Sequence, residues 1–158
     1  PGSLWFTKQY PEEKWNEFID KVINLHPDMY IYLLGSSNEK GLCDRIFQRS
    51  AKQENLLNLA GKFTLLESAA LMRDARMNYV TDSAPMHLAS SVNAPTTAVY
   101  CSTVPEFGFG PLSKKSFIIQ AQEDIPCKPC GLHGFRKCPK KHFDCAYKIR
   151  VEQLVETL

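Results

Sequence analysis

The run from Asn58 to Ser102, NLAGKFTLLESAALMRDARMNYVTDSAPMHLASSVNAPTTAVYCS, sets out helix, strand, polar turn, helix and strand in close succession. A β-prone stretch, Met77 to Thr81, feeds the turn TDSAPMH, and an Ala-rich helical segment from about Pro85 to Val92 leaves it. Asp82, Ser83 and His87 are gathered there. In an open α/β sheet, ligands bind at the carboxyl ends of strands, where the helix that follows offers unpaired N–H groups to an anion.

Outward from this block the periodicities agree. Trp15, Phe18, Ile19, Val22 and Ile23 recur at helical spacing behind Pro11, a residue suited to a helix start. Met29 to Leu34 is a continuous apolar run closed by Gly35-Ser36, which predicts a strand covered on both faces. Leu42, Cys43, Ile46 and Phe47 mark a further helix, and Leu56 to Leu59 a short strand. Beyond Pro111, Ser116 to Ile119 reads as a strand, followed by a Cys-rich segment at 126–147. A closing helix over 146–158 carries Ile149, Val151, Leu154, Val155 and Leu158, with Asp144 as its expected cap. Strands alternating with helices imply an α/β fold, a Rossmann-like parallel sheet with flanking helices and right-handed crossovers.

Composition fits one domain over 1–158, since 158 residues with 44% apolar content suffice to bury a core. A net charge of +2 provides no global steering toward nucleic acid or membrane. No apolar run approaches the roughly 20 residues that span a bilayer. No aromatic-interleaved basic strip marks a nucleic-acid partner.

The ordered matches extend further. Leu59-Ala60-Gly61, Thr64-Leu65-Leu66-Glu67-Ser68-Ala69-Ala70-Leu71, Asp82-Ser83-Ala84-Pro85-Met86-His87-Leu88-Ala89 and Ala94-Pro95 follow one another, and PGSLWFTKQYPEEKW opens the chain. In this order and spacing the sequence resembles glycosyltransferase family 9, the ADP-heptose:lipopolysaccharide heptosyltransferases and their relatives, from Pro1 to about Pro111. The resemblance implies two Rossmann-like halves in the GT-B arrangement, of which this chain matches the C-terminal, donor-binding one. The acceptor half, with the catalytic base, is expected to lie outside it. What it further implies is transfer of heptose or a related sugar from an ADP-sugar to a lipopolysaccharide core acceptor. The place would be the cytoplasm, peripherally at the inner face of the inner membrane, and catalysis would need no cofactor. A reading of another class is a non-catalytic nucleotide-sugar or nucleic-acid binding module scaffolded by its cysteines.

A nucleotide-diphosphate leaving group gains negative charge as the glycosidic bond breaks, and fixed donors can answer it. Under the resemblance, Thr7 and Lys8 would reach the diphosphate, as would the backbone of Ser83 and Ala84. Asp82 would accept hydrogen bonds from donor-sugar hydroxyls, Glu39 would take the ribose, and His87 would reach toward the phosphates. Each has a plain structural alternative. Thr7 and Lys8 suit an ordinary loop, Asp82 an N-cap, Glu39 the first turn of a helix, and His87 a core position.

Cys127, Cys130, Cys138 and Cys145 form a separate set. A C-x2-C pair with two more thiols suits a closed structural zinc site. Two disulfides or four reduced thiols are the other arrangements, and a cytoplasmic setting disfavours the disulfides. The segment reads as separate from the donor residues, so that loss of a metal should leave Lys8 and Asp82 undisturbed. Cys43 and Cys101 lie at apolar element positions and suit the core. Nine Lys and Arg against three acidic residues between Lys114 and Arg150 give this end a basic surface.

Overall fold

The computed structural model describes all 158 residues. In chain order the regular elements are α1 (Glu12–Leu25), β1 (Ile31–Leu33), α2 (Lys40–Arg49), β2 (Leu56–Asn58), α3 (Leu65–Arg73), β3 (Asn78–Thr81), α4 (Ala84–Ser91), β4 (Thr96–Val99), β5 (Ser116–Ile119), α5 (Asp144–Tyr147) and α6 (Val151–Val155). All strand pairings are parallel, as alternation of helix and strand requires. They form two sheets, however: β1 with β2, and β3-β4-β5. The α/β expectation holds, with the sheet in two pieces.

Alternation along β4 explains how the larger sheet is covered. Val99 and Cys101 enter a cluster of 21 buried residues with Trp15, Phe18, Ile19, Val22 and Ile23 of α1 and Val151 and Leu154 of α6. Ala98 and Tyr100 face the other way, into a cluster of seven with Met72, Val80, Met86 and Ala89. Side chains of period two thus place one helical layer on each face. Cys43 and Cys101 are fully buried, as core positions should be.

Two local expectations are corrected. Met29 to Leu34 is not covered on both faces: Ile31 and Leu33 pack into the larger core, whereas Tyr30 and Tyr32 are 62% and 46% exposed. Tyr30 and Tyr32 border an open cleft, and of their face only Leu34 packs against the smaller cluster. The closing helix is broken into α5 and α6, and Asp144 is the first residue of α5 rather than its cap. Phe143, at φ 55, holds the cap position. Between the two helices the carbonyl of Ile149 accepts from Tyr10 Oη at 3.1 Å, and Arg150 is extended.

The cleft runs between the facing edges of β1 and β3 and has a volume of about 1200 Å³. Leu59 N and Gly61 N donate to the carbonyls of Leu33 and Gly35, so the odd-numbered residues of β1 face β2. Asn78 N and Asp82 N donate to Pro95 and Val99, so the even-numbered residues of β3 face β4. Backbone groups alternate in direction along a parallel strand, which leaves those of Tyr32, Tyr79 and Thr81 facing the cleft. In native-state hydrogen exchange the amides of Ala98 and Val99 should therefore exchange at least about a hundredfold more slowly than those of Tyr32 and Thr81. Equal protection would show that the cleft edges are paired.

Candidate functional site

The carboxyl ends of β1 and β3 meet at the mouth of the cleft, and the first residues of the chain lie across them. Thr81 Oγ1 donates to the carbonyl of Gly2 at 3.0 Å. A Cβ at Gly2 would collide with the carboxylate of Glu39, so a side chain there would have to displace that carboxylate. Gly61, at φ 75, brings its loop against Ser37, whose Cα would stand 3.1 Å from a Cβ at that position. Ser36, Glu39, Gly61, Phe63, Thr64, Ser83, Ala84 and His87 line the opening.

Three turns begin at this mouth, and two of them are closed by their own side chains. Glu39 Oε2 accepts from Ser36 N at 2.8 Å and from Ser36 Oγ at 3.0 Å. Glu67 Oε2 does the same for Thr64 N and Oγ1, both at 2.8 Å, at the start of α3. The third, α4, is different. Ser83 holds its N-cap position without a side-chain cap, its hydroxyl being 3.0 Å from Thr81 Oγ1. Pro85 brings no N–H, and the amides of Ser83 and Ala84 have no acceptor within the chain. Unpaired amides at the positive end of a helix suit an anion.

Beside α4 lies a compact buried polar group. Lys8 Nζ pairs with Asp82 Oδ2 at 2.8 Å, with the two side chains only 14% and 8% exposed. Thr103 Oγ1 donates to the same oxygen at 2.6 Å. Behind Lys8, Thr7 is 1% exposed. Its Oγ1 accepts from Ser102 Oγ at 3.0 Å and from Phe135 N at 2.8 Å, and its N–H donates to the carbonyl of Phe135 at 3.1 Å.

The expected site residues are therefore placed as follows. Glu39, Ser83, Ala84 and His87 share the cleft mouth, with Lys8 and Asp82 paired next to them. His87 is exposed, with its ring 6.4 Å from that of Phe109, and is no core histidine. Asp82 is not an N-cap, because its carboxylate turns to Lys8 and Thr103. Thr7 sits behind the lysine with its hydroxyl already engaged. Thr81, Ser102, Thr103 and Gly134 go unnoticed in the sequence, since only the fold brings residues near 7, 82, 103 and 134 together.

The model of glycosyltransferase family 9 (heptosyltransferase) matches residues 1–137. Lipooligosaccharide heptosyltransferase 2 of Haemophilus influenzae is 35% identical over 118 residues, which are 73% of this chain and 33% of that protein. Lipopolysaccharide heptosyltransferase 1 of Pseudomonas aeruginosa is 27% identical over 129 residues, 82% of this chain and 34% of that protein. The chain thus spans about a third of the length of these curated relatives. Among solved structures, E. coli ADP-heptose lipopolysaccharide heptosyltransferase II superposes with a TM-score of 0.80 at 22% identity, covering 99% of this chain and 43% of that one. An E. coli heptosyltransferase solved with ADP gives 0.68 at 21% identity, covering 98% and 41%. These two share the fold.

The cysteine-rich segment is not separate from the buried polar group, which corrects the sequence reading. Cys130 N donates to the carbonyl of Ser102 at 2.8 Å. Gly134, at φ 78, is so close that a Cβ there would lie 2.7 Å from Thr7 Oγ1 and 3.3 Å from Lys8 Cγ. No three His, Cys, Asp or Glu side chains are grouped so that they could hold a metal ion. The expected ligands are neighbours in a looser sense: Cys127 Sγ lies 3.7 Å from His142 Nε2, and Cys130 Sγ donates to the carbonyl of Cys127 at 3.3 Å. Burial, then the neighbouring thiols, pushes the Cys145 thiol up to about 12. Burial likewise raises Cys130. A thiol reagent should label Cys127, Cys130 and Cys138 in the native chain, and the buried Cys43, Cys101 and Cys145 only after unfolding. Protection of Cys127, Cys130, Cys138 and Cys145 together, with zinc released on labelling, would instead show that the four close around a metal.

Proposed function

We propose that this chain, which belongs to glycosyltransferase family 9 (heptosyltransferase), is the donor-binding half of an enzyme that moves heptose from an ADP-sugar to a lipopolysaccharide core acceptor. The observation that carries the reading is the uncapped start of α4, where the free amides of Ser83 and Ala84 open on the cleft beside the Lys8–Asp82 pair. A diphosphate placed there meets two amide donors and the positive end of a helix. An ammonium has three donors, so Lys8 can hold Asp82 with one and offer another to phosphate.

The pair also resolves a difficulty of charge. A lone carboxylate would repel the diphosphate, but Asp82 is held 2.8 Å from Lys8, and the two together are neutral. Asp82 can then accept from a hydroxyl of the donor sugar while Lys8 faces the leaving group. Glu39, at the end of β1, has its Oε2 engaged with Ser36, which leaves the carboxylate further acceptor capacity for the ribose. As the anomeric bond breaks, charge gathers on the departing ADP, and these fixed donors are in place before it does. Inversion by direct displacement needs a base on the opposite face of the sugar, and that base is assigned to the acceptor half. No step asks for a cofactor.

The proposed setting is the cytoplasmic face of the inner membrane. No helix is long and apolar enough to cross a membrane. Exposed Leu132 and Phe135 stand among exposed Arg136, Lys137, Lys140 and Lys141, a surface suited to peripheral contact with anionic lipid.

Calorimetric titration tests the site directly. ADP should bind the chain, and Lys8→Ala should weaken it by about tenfold or more, as expected for loss of a charge-assisted contact of roughly 1.5–3 kcal/mol. Because Lys8 is largely buried, its loss also lowers stability, and affinity has to be read well below the unfolding temperature. Ala84→Asp avoids that complication, since Ala84 is exposed. A carboxylate at the mouth should weaken ADP at least as much. Unchanged affinity in both variants would refute the assignment. The chain alone should transfer no sugar, and robust transfer would show that the base lies within it.

A further inference from the structure

We infer that Thr103 is a positioning residue of the donor site, one that fixes the Asp82 carboxylate and through it aims the Lys8 ammonium at the diphosphate. The inference rests on the donor-site reading above and adds to it a residue outside the expected set.

The geometry is specific. Asp82 Oδ2 receives Thr103 Oγ1 at 2.6 Å and Lys8 Nζ at 2.8 Å. Thr103 is 1% exposed, and this is the one hydrogen bond its side chain makes. A buried hydroxyl spent on a single carboxylate oxygen makes a short, charge-assisted bond. Its donor is a β-branched side chain, whose χ1 is restricted by two heavy atoms on Cβ. Lys8, by contrast, is a point charge on a four-carbon stem and cannot by itself fix the plane of its partner. Thr103 therefore supplies the rigid end of the pair and Lys8 the end that meets ligand.

The surroundings of Thr103 serve the same end. The carbonyl of the preceding residue, Ser102, accepts from Cys130 N at 2.8 Å. Ser102 Oγ donates to Thr7 Oγ1 at 3.0 Å, and Thr7 in turn accepts from Phe135 N at 2.8 Å. Gly134 completes this wall, since a side chain there would drive into Thr7 and Ser102. The segment after β4 is thus tied on two sides, once to the chain near Cys130 and once to the loop that carries Lys8.

The test compares Thr103→Val, which keeps the shape and deletes the hydroxyl, with Thr103→Ser, which keeps the hydroxyl. ADP affinity and adenosine affinity are measured for both and for the parent chain, together with the unfolding midpoint. Thr103→Val should weaken ADP by about five- to tenfold and leave adenosine within twofold, and Thr103→Ser, which restores the hydroxyl without the branched Cβ, should recover most of that loss. In the Lys8→Ala background it should produce little additional loss of ADP affinity, because the effect runs through the lysine. If Lys8→Ala weakens ADP while Thr103→Val alone does not, Thr103 has no positioning role. The same holds if Thr103→Val weakens adenosine as much as ADP, or adds its full effect to that of Lys8→Ala. If neither variant touches ADP affinity, the donor-site reading itself fails.

Discussion

A single carboxylate oxygen, Asp82 Oδ2, ties together three distant parts of this chain. Lys8 comes from the short 3-10 turn before α1, Asp82 from the end of β3, and Thr103 from the segment beyond β4. Burying an ion pair is costly in solvation, and the cost is offset only where geometry and further hydrogen bonds are good. Here Thr103 supplies that further bond, and Asp82 is left 6% exposed. The positions of Thr7, Ser102 and Phe135 then follow, because a lysine held inside this wall needs its flanking backbone held as well. The start of α4 follows too: with Asp82 turned inward, no side chain caps the helix, and two amides are left open.

Much of this was legible in the sequence, and for identifiable reasons. The apolar spacing of α1 and the sharp change from Tyr79-Val80-Thr81 to Asp82-Ser83 are local signals, and local signals survive without a fold. The Met29 to Leu34 run differs because an unbroken apolar stretch reads as covered on both faces, whereas Tyr30 and Tyr32 stand exposed beside an open cleft. Tyrosine is ambiguous in that pattern, with an apolar body and a polar tip. The closing helix differs for another reason. Its stripe of Ile149, Val151, Leu154 and Val155 is genuine, but Tyr10, more than a hundred positions away, takes the Ile149 carbonyl at the point where the helix would have continued.

The site divides along the same line. Residue types with chemical specificity, such as Lys8, Glu39, Asp82 and His87, could be named in advance. Their partners could not, because Thr103 and Gly134 have no motif and gain meaning only by proximity. The cysteine-rich segment shows this most clearly. Its C-x2-C spacing suggested a self-contained metal module, whereas the fold lays it against Thr7 and Lys8 through Gly134 and Phe135. This segment therefore packs behind the Lys8–Asp82 pair.

The most direct measurement is the site of ADP binding itself. In a titration of the isotope-labelled chain followed by amide NMR, the resonances of Ser83, Ala84 and Gly61 should shift most and saturate together with one dissociation constant. Those of α5 and of the outer face of α2 should stay nearly fixed. Largest shifts on the basic surface around Lys137 to Lys141, with Ser83 and Ala84 unmoved, would contradict the account.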